Sequence, residues 1–152
     1  MKKGIIVDIA SSLFIILFFY TGIFKLWHLD HFKAALHKSP VLDKYQEFVG
    51  ITIPSLEVLI GLALFLPYFF SWPRIRKWGL YSYTVLMAIF TLYVWGMLRF
   101  ARELPCTCGG IITKMNWHQH FYFNTTFTIL GLIAIWLNNR QFKQSQKSFS
   151  MA

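Results

Sequence analysis

The chain contains only two cysteines, Cys106 and Cys108, separated by one threonine within the sequence PCTCGG (residues 105–110). A disulfide across one intervening residue forms a small ring, and its Cα separation and dihedral angle are difficult to bring to their preferred values. The resulting strain makes the disulfide easier to reduce and more oxidising toward a partner. So short a loop gives little entropic stabilisation, which argues against a purely structural disulfide. The spacing favours thiol–disulfide exchange, with inert loop thiols or a static disulfide as the alternative.

Two histidines, His118 and His120, follow the cysteines. On a helix, residues two positions apart point in directions about 200° apart, so the two imidazoles are poor joint metal ligands. Together with the cysteines they could form a soft N/S site for copper or zinc, which is less favoured than a site without metal. An imidazole beside a thiol would stabilise its thiolate and accelerate exchange. We predict an imidazole within about 10 Å of a cysteine sulfur, one Debye length at ordinary salt. The alternative is that both histidines face headgroups or water.

The remainder of the chain is an apolar scaffold that must position these residues. Of its 152 residues, 56% are hydrophobic and only 14% are charged, so a soluble domain of this size could not bury the apolar surface. Four segments approach the roughly 20 apolar residues that cross a hydrocarbon core. They are residues 5–27, 51–70, 78–98 and 121–137. The first lacks the cleavage site of a signal peptide, so we expect it to remain as a helix.

These segments predict an all-α, integral membrane four-helix bundle over residues 1–138, followed by a polar tail over residues 139–152 that we expect to be frayed from Gln141 onward. In the loop over residues 28–50, apolar residues recur at helical spacing on both sides of Ser39-Pro40. This pattern predicts two short amphipathic helices lying in the membrane interface. Small residues within the four segments should permit close helix contacts. They are Gly22, Gly61, Gly79, Ala88, Gly96 and Gly131.

The net charge of +9 is concentrated on one side of the predicted bundle. Lysines and arginines cluster in the N-terminal tail, in the short connection between the second and third segments and in the C-terminal tail. The positive-inside rule then places both termini in the cytoplasm and the cysteine loop outside the inner membrane, in the oxidising periplasm. Basic residues that flank a lipid membrane explain the charge better than nucleic-acid binding, which we do not expect.

Two ionisable residues, Lys25 and Glu57, lie at similar depth near the outer ends of the first and second segments. An unpaired carboxylate at that depth would be costly. The simpler interpretation is an ion pair that joins the two helices. The alternative is that Glu57 accepts a proton or forms part of a small-molecule pocket beneath the cysteine loop.

Several motifs together resemble a known family. The first segment ends in YTGIFKL (20–26), the second opens with PSLE (54–57), and PCTCGG lies between the third and fourth. Their order and spacing are similar to those of the MauE branch of the DoxX-like superfamily, the methylamine-utilisation membrane proteins, over about residues 5–138. The resemblance implies a four-helix membrane bundle linked to disulfide formation, with MauE itself serving maturation of the disulfide-rich small subunit of methylamine dehydrogenase. It also implies that Cys106 and Cys108 are the working thiol pair.

The sequence therefore predicts a membrane redox-maturation protein that acts by thiol–disulfide exchange. One cysteine would form a mixed disulfide with a periplasmic thioredoxin-like protein or a disulfide-rich client, and the other would resolve it. A quinone at the bundle mouth near Glu57 is the candidate electron acceptor. The alternative from a different class is a non-enzymatic membrane scaffold or assembly subunit. A transporter is disfavoured, because its pathway would need more polar groups within the spans.

Overall fold

Five α-helices account for most of the described chain. The computed structural model describes residues 2–37, 39, 42–70, 72–100 and 116–150. The helices are α1 (Lys2–Trp27), α2 (Leu29–His37), α3 (Gln46–Phe65), α4 (Pro73–Phe100) and α5 (Trp117–Ser150). Two 3₁₀ turns, Asp43–Tyr45 and Leu66–Tyr68, flank α3, and no strand occurs within the described ranges.

All of the helices except α2 are long and apolar enough to cross a membrane, which confirms the predicted all-α membrane bundle. The spans are Ile5–Trp27, Asp43–Tyr68, Pro73–Arg99 and Trp117–Arg140. The last three begin earlier in the chain than the apolar segments predicted from sequence. The reason is that each helix continues through the more polar residues that flank its apolar core, where backbone hydrogen bonding is still satisfied within the helix.

An aromatic cluster joins α1 to α4 in the centre of the bundle. The ring centroid of Tyr83 lies 4.0 Å from that of Phe14 and 4.6 Å from that of Phe18. All three side chains are buried, as are Leu64 from α3 and Leu80 from α4. Around this core, α1 packs against α3 and α4 packs against α5, with further contacts between α1 and α5 and between α3 and α4. The outer faces carry many exposed large apolar side chains, as expected of helices that lipid surrounds.

Close helix contacts occur at some of the predicted small residues. A Cβ added at Gly22 would lie 3.0 Å from the carbonyl oxygen of Pro54, so α1 and α3 touch at this point. A Cβ added at Gly131 would lie 2.5 Å from Oγ1 of Thr84, where α5 meets α4. The prediction is wrong for Gly96, since nothing lies within 4 Å of a Cβ added there. Gly96 therefore lies on a face of α4 that no neighbouring helix covers among the described residues.

The predicted pair of short amphipathic helices is confirmed in part. The first is α2, and its buried residue Leu36 packs toward the bundle. The second does not form a separate helix, because its residues make the 3₁₀ turn Asp43–Tyr45 and the first turns of α3. The backbone of α5 is helical to Ser150, so the polar tail continues the fourth membrane helix. That segment contains no glycine or proline and is rich in glutamine and lysine, which favour helix.

Candidate functional site

The two cysteines of the predicted site, Cys106 and Cys108, lie in residues 101–115, outside the described part of the chain. The predicted proximity of a histidine to a cysteine sulfur falls there as well and remains a prediction. The described residues on either side are Phe100, the end of α4, and Asn116, just before α5. Both flank the end of the bundle at which α1 ends and α3 begins, which is called the Lys25 end below.

Lys25 and Glu57 form the predicted ion pair at this end. Lys25 lies in the last turn of α1, and its Nζ donates a hydrogen bond to Oε1 of Glu57 on α3. Glu57 is only 1% exposed and Lys25 is 9% exposed, so both charges are removed from solvent. The close approach of the two helices at Gly22 permits this contact, because a side chain there would separate them. The interpretation of the two residues as an ion pair that joins α1 to α3 is confirmed.

Two aromatic rings complete the surroundings of the Lys25 ammonium group. Its Nζ lies 5.5 Å from the ring centroid of Phe32 on α2 and 5.3 Å from that of Phe90 on α4. At such distances the negative face of an aromatic ring attracts a cation, and the attraction increases when the cation is desolvated. Lys25 therefore connects four elements of the fold: α1, α2, α3 and α4.

A cavity of about 250 Å³ lies beside Lys25, beneath α2. Every one of the five helices contributes to its wall, which is predominantly apolar. Its apolar contributors include Phe32, Leu36, Ile53, Phe90, Val94 and Trp117. Its polar contributors are Lys25, Tyr93, His120 and Asn124. An apolar pocket with a few polar groups is the usual form of a small-molecule site in a protein.

The two predicted histidines differ in their positions. His120 lines the cavity, whereas His118 is exposed and does not. This difference follows from their spacing on α5, where the two side chains point in different directions, as predicted. Within the described ranges, no three side chains of His, Cys, Asp or Glu gather where they could hold a metal ion. The copper or zinc alternative depends on the cysteines, so the described residues do not test it.

Asn124 is a cavity residue that the sequence reasoning missed. It is 3% exposed, and among the described residues its Nδ2 has no hydrogen-bond partner. Buried polar groups are almost always hydrogen-bonded, so a buried donor without an acceptor requires an explanation. The available signal was an asparagine within the fourth apolar segment, because polar residues inside a membrane span are rare and commonly functional.

Ser39 connects α2, which covers the cavity, to α4. From the sequence, Ser39 was interpreted only as part of the Ser39-Pro40 interruption of a helix. Ser39 is fully buried, and its backbone N–H donates to the carbonyl oxygen of Leu36 over 3.0 Å. The hydroxyl of Tyr93 donates to Oγ of Ser39, also over 3.0 Å. Since Leu36 ends the buried face of α2, these two bonds hold α2 over the cavity. No sequence pattern indicates such a contact between distant residues.

Comparison with known proteins agrees with this architecture. The sequence model of the family described as Methylamine utilisation protein MauE matches residues 3–137. The chain belongs to the MauE family. The match includes all four spans almost completely, as well as the cysteine pair, and this MauE-family chain is a multi-pass membrane protein. The expected four-helix bundle of the DoxX-like superfamily is consistent with the fold. No curated protein and no solved structure matches the chain significantly.

Proposed function

We propose that this MauE-family chain is a redox-maturation protein of methylamine utilisation that uses Cys106 and Cys108 for thiol–disulfide exchange. The observation that carries the proposal is that the family match extends across residues 3–137 and includes the only two cysteines of the chain. The proposed partner is a periplasmic thioredoxin-like protein or a disulfide-rich client. The described helices support the proposal by bringing Phe100 and Asn116, which flank the cysteine loop, to one end of the bundle.

The proposed reaction transfers a disulfide to the client. A client thiolate attacks one sulfur of the Cys106–Cys108 disulfide, which forms a mixed disulfide and releases the other cysteine as a thiolate. A second client thiolate then attacks the client sulfur of the mixed disulfide. The client gains a disulfide, and the chain is left with two thiols after taking up two electrons and two protons. Because the chain has a single pair, it cannot relay electrons between two internal disulfides, and a separate oxidant must restore the pair.

The reaction requires the loop to face an oxidising compartment, and we propose that both termini are cytoplasmic and the loop periplasmic. The first turns of α4, at the end of the bundle opposite the cysteine loop, carry Arg74, Arg76 and Lys77, whereas the cysteine loop is less basic. To test this orientation, the disulfide is briefly reduced in intact spheroplasts, which are then labelled with a membrane-impermeant maleimide. Cys106 or Cys108 should react without permeabilisation, and reaction only in opened membranes would reverse the orientation.

Trapping of the mixed disulfide tests the exchange itself. The variant Cys108→Ala keeps Cys106 but removes the neighbouring thiol, whose attack on the mixed disulfide would otherwise release the client again, and Cys106→Ala is the matched reciprocal variant. One of the two should accumulate a covalent complex that dithiothreitol dissolves, whereas the double variant should accumulate none. If neither single variant captures a partner and the double variant supports growth on methylamine at normal protein level, the cysteines are dispensable. The non-enzymatic scaffold would then be the better account.

A further inference from the structure

The cavity at the Lys25 end is large enough for an organic ring. Its volume is about 250 Å³, and its wall combines aliphatic side chains with aromatic ones such as Phe32 and Phe90. For comparison, a dry apolar cavity of about 150 Å³ accommodates benzene. The cavity therefore has room for a substituted six-membered ring, and most of its wall offers only apolar contacts. A strongly polar or highly charged solute would lose more hydration here than the wall could replace.

Two polar groups of the wall offer hydrogen-bond donors to the cavity. Nδ2 of Asn124 is buried and has no acceptor among the described residues, and Nζ of Lys25 has hydrogens beyond the one that it donates to Glu57. Leaving a buried donor unsatisfied is costly, so an oxygen acceptor brought by a ligand would remove that cost. The chemistry of the wall thus calls for an apolar molecule that carries an acceptor oxygen.

The charge balance favours a neutral acceptor over an anion. Lys25 is the only lysine or arginine among the described residues that line the cavity, and Glu57 already compensates its charge. A carboxylate in the cavity would be a second anion beside a single cation, in surroundings with a low dielectric constant. A carbonyl oxygen accepts the same hydrogen bonds without adding charge.

We propose that this cavity binds the carbonyl-bearing ring of a membrane-soluble quinone. Asn124 donates to a carbonyl oxygen through Nδ2, and the aromatic side chains contact the ring faces. In its redox role, which rests on the proposed function, the quinone is the oxidant that restores the cysteine pair. The two thiols lose two electrons and two protons and form the S–S bond. The quinone takes up both electrons and both protons at its oxygens and becomes the quinol.

Binding can be measured without the cysteines, so that it is separate from the exchange reaction. The full chain carrying Cys106→Ser and Cys108→Ser is placed in phosphatidylcholine nanodiscs, and ubiquinone-1 is titrated while tryptophan fluorescence is recorded. We expect saturable quenching, since Trp117 lines the cavity. The substitution Asn124→Leu should weaken binding about tenfold, as expected for the loss of one hydrogen bond from a buried donor. The control Asn138→Leu, on the same helix about 21 Å away along its axis, should leave binding unchanged.

A second variant keeps the test decisive if Asn124→Leu does not fold. Ala35→Phe adds a ring to the cavity wall and should abolish saturable binding by occupying the space. Methyl oleate, which has a lipid ester carbonyl but no ring, should not displace ubiquinone-1 at equal concentration. Absence of saturable quenching, equal binding by wild type and both cavity variants, or equal competition by methyl oleate would overturn the quinone assignment. The last result would assign the cavity to a lipid ester instead.

The outcomes also separate this inference from the proposed function. If ubiquinone-1 does not bind but a mixed disulfide through Cys106 or Cys108 is captured, the cavity assignment fails and thiol exchange stands. If ubiquinone-1 binds but the double cysteine variant functions normally in cells, the proposed exchange fails, and with it the redox role of the quinone. When the cavity and the cysteine pair are both intact, one molecule of quinol should form for each Cys106–Cys108 disulfide.

Discussion

Removal of one partner of the Lys25–Glu57 pair should destabilise the bundle strongly, whereas removal of both should not. In Glu57→Leu the ammonium group of Lys25, a residue that is 9% exposed in the wild type, would keep two aromatic rings but lose its counter-charge. Leaving one charge of a buried pair uncompensated costs about 3–5 kcal/mol. The double variant Lys25→Met, Glu57→Leu replaces both charges by apolar groups of similar volume, for which the net cost is commonly about zero. The coupling energy between the two positions should therefore exceed about 3 kcal/mol in a double-mutant cycle.

The assay is equilibrium unfolding in bicelles by titration with sodium dodecyl sulfate, followed by circular dichroism. The chain contains a matched control in the Lys33–Glu47 pair, which has the same residue types but a Glu47 side chain that is 75% exposed. The same substitutions there should give a coupling energy below about 1 kcal/mol, as measured for exposed pairs. If the two cycles give indistinguishable coupling energies, burial does not strengthen the Lys25–Glu57 contact, and its assigned role in joining α1 to α3 is refuted.

Four further substitutions can be measured in the same unfolding assay. Gly22→Ala should lower the free energy of unfolding by about 1–3 kcal/mol through overpacking against α3, whereas Gly96→Ala, whose added methyl group contacts nothing, should be neutral or stabilising. Equal effects of the two substitutions would contradict the assigned contact between α1 and α3. Tyr93→Phe removes the donor to Ser39 and should cost about 1 kcal/mol, and an unchanged stability would show that this bond does not hold α2 in place. Tyr83→Phe should instead stabilise the protein by about 1 kcal/mol, because the buried Tyr83 hydroxyl has no hydrogen-bond partner among the described residues. A clear loss of stability would mean that this hydroxyl is hydrogen-bonded.

The sequence was sufficient to predict the spans, the bundle and the ion pair. Runs of apolar residues identify membrane helices directly, because the hydrocarbon thickness sets their length. Lys25 and Glu57 were predictable as partners because opposite charges at the same depth of adjacent spans have few other means of compensation. The helical spacing of the apolar residues before Ser39 likewise predicted a short amphipathic helix, which is α2.

The parts that the sequence did not predict depend on how the helices rotate against one another. Gly96 and Gly22 are both glycines within apolar segments, but only the rotation of α4 decides whether a neighbouring helix covers Gly96. The cavity and the role of Asn124 require all five helices to be in place, so no local pattern contains them. The contact between Tyr93 and Ser39 joins residues that are 54 positions apart. The hydropathy pattern indicates how deep in the membrane a residue lies, but it does not indicate which neighbouring residue it contacts.

The reduction potential of the Cys106–Cys108 pair tests the proposed exchange most directly. The purified full chain in nanodiscs would be equilibrated with glutathione or dithiothreitol redox buffers, quenched with acid and alkylated, and the oxidised fraction counted by mass spectrometry. The proposal predicts one two-electron transition at a potential above about −300 mV, the upper limit typical of structural disulfides. A pair that forms no disulfide, or one whose potential lies below that limit, would contradict the claim that these cysteines exchange disulfides with a partner.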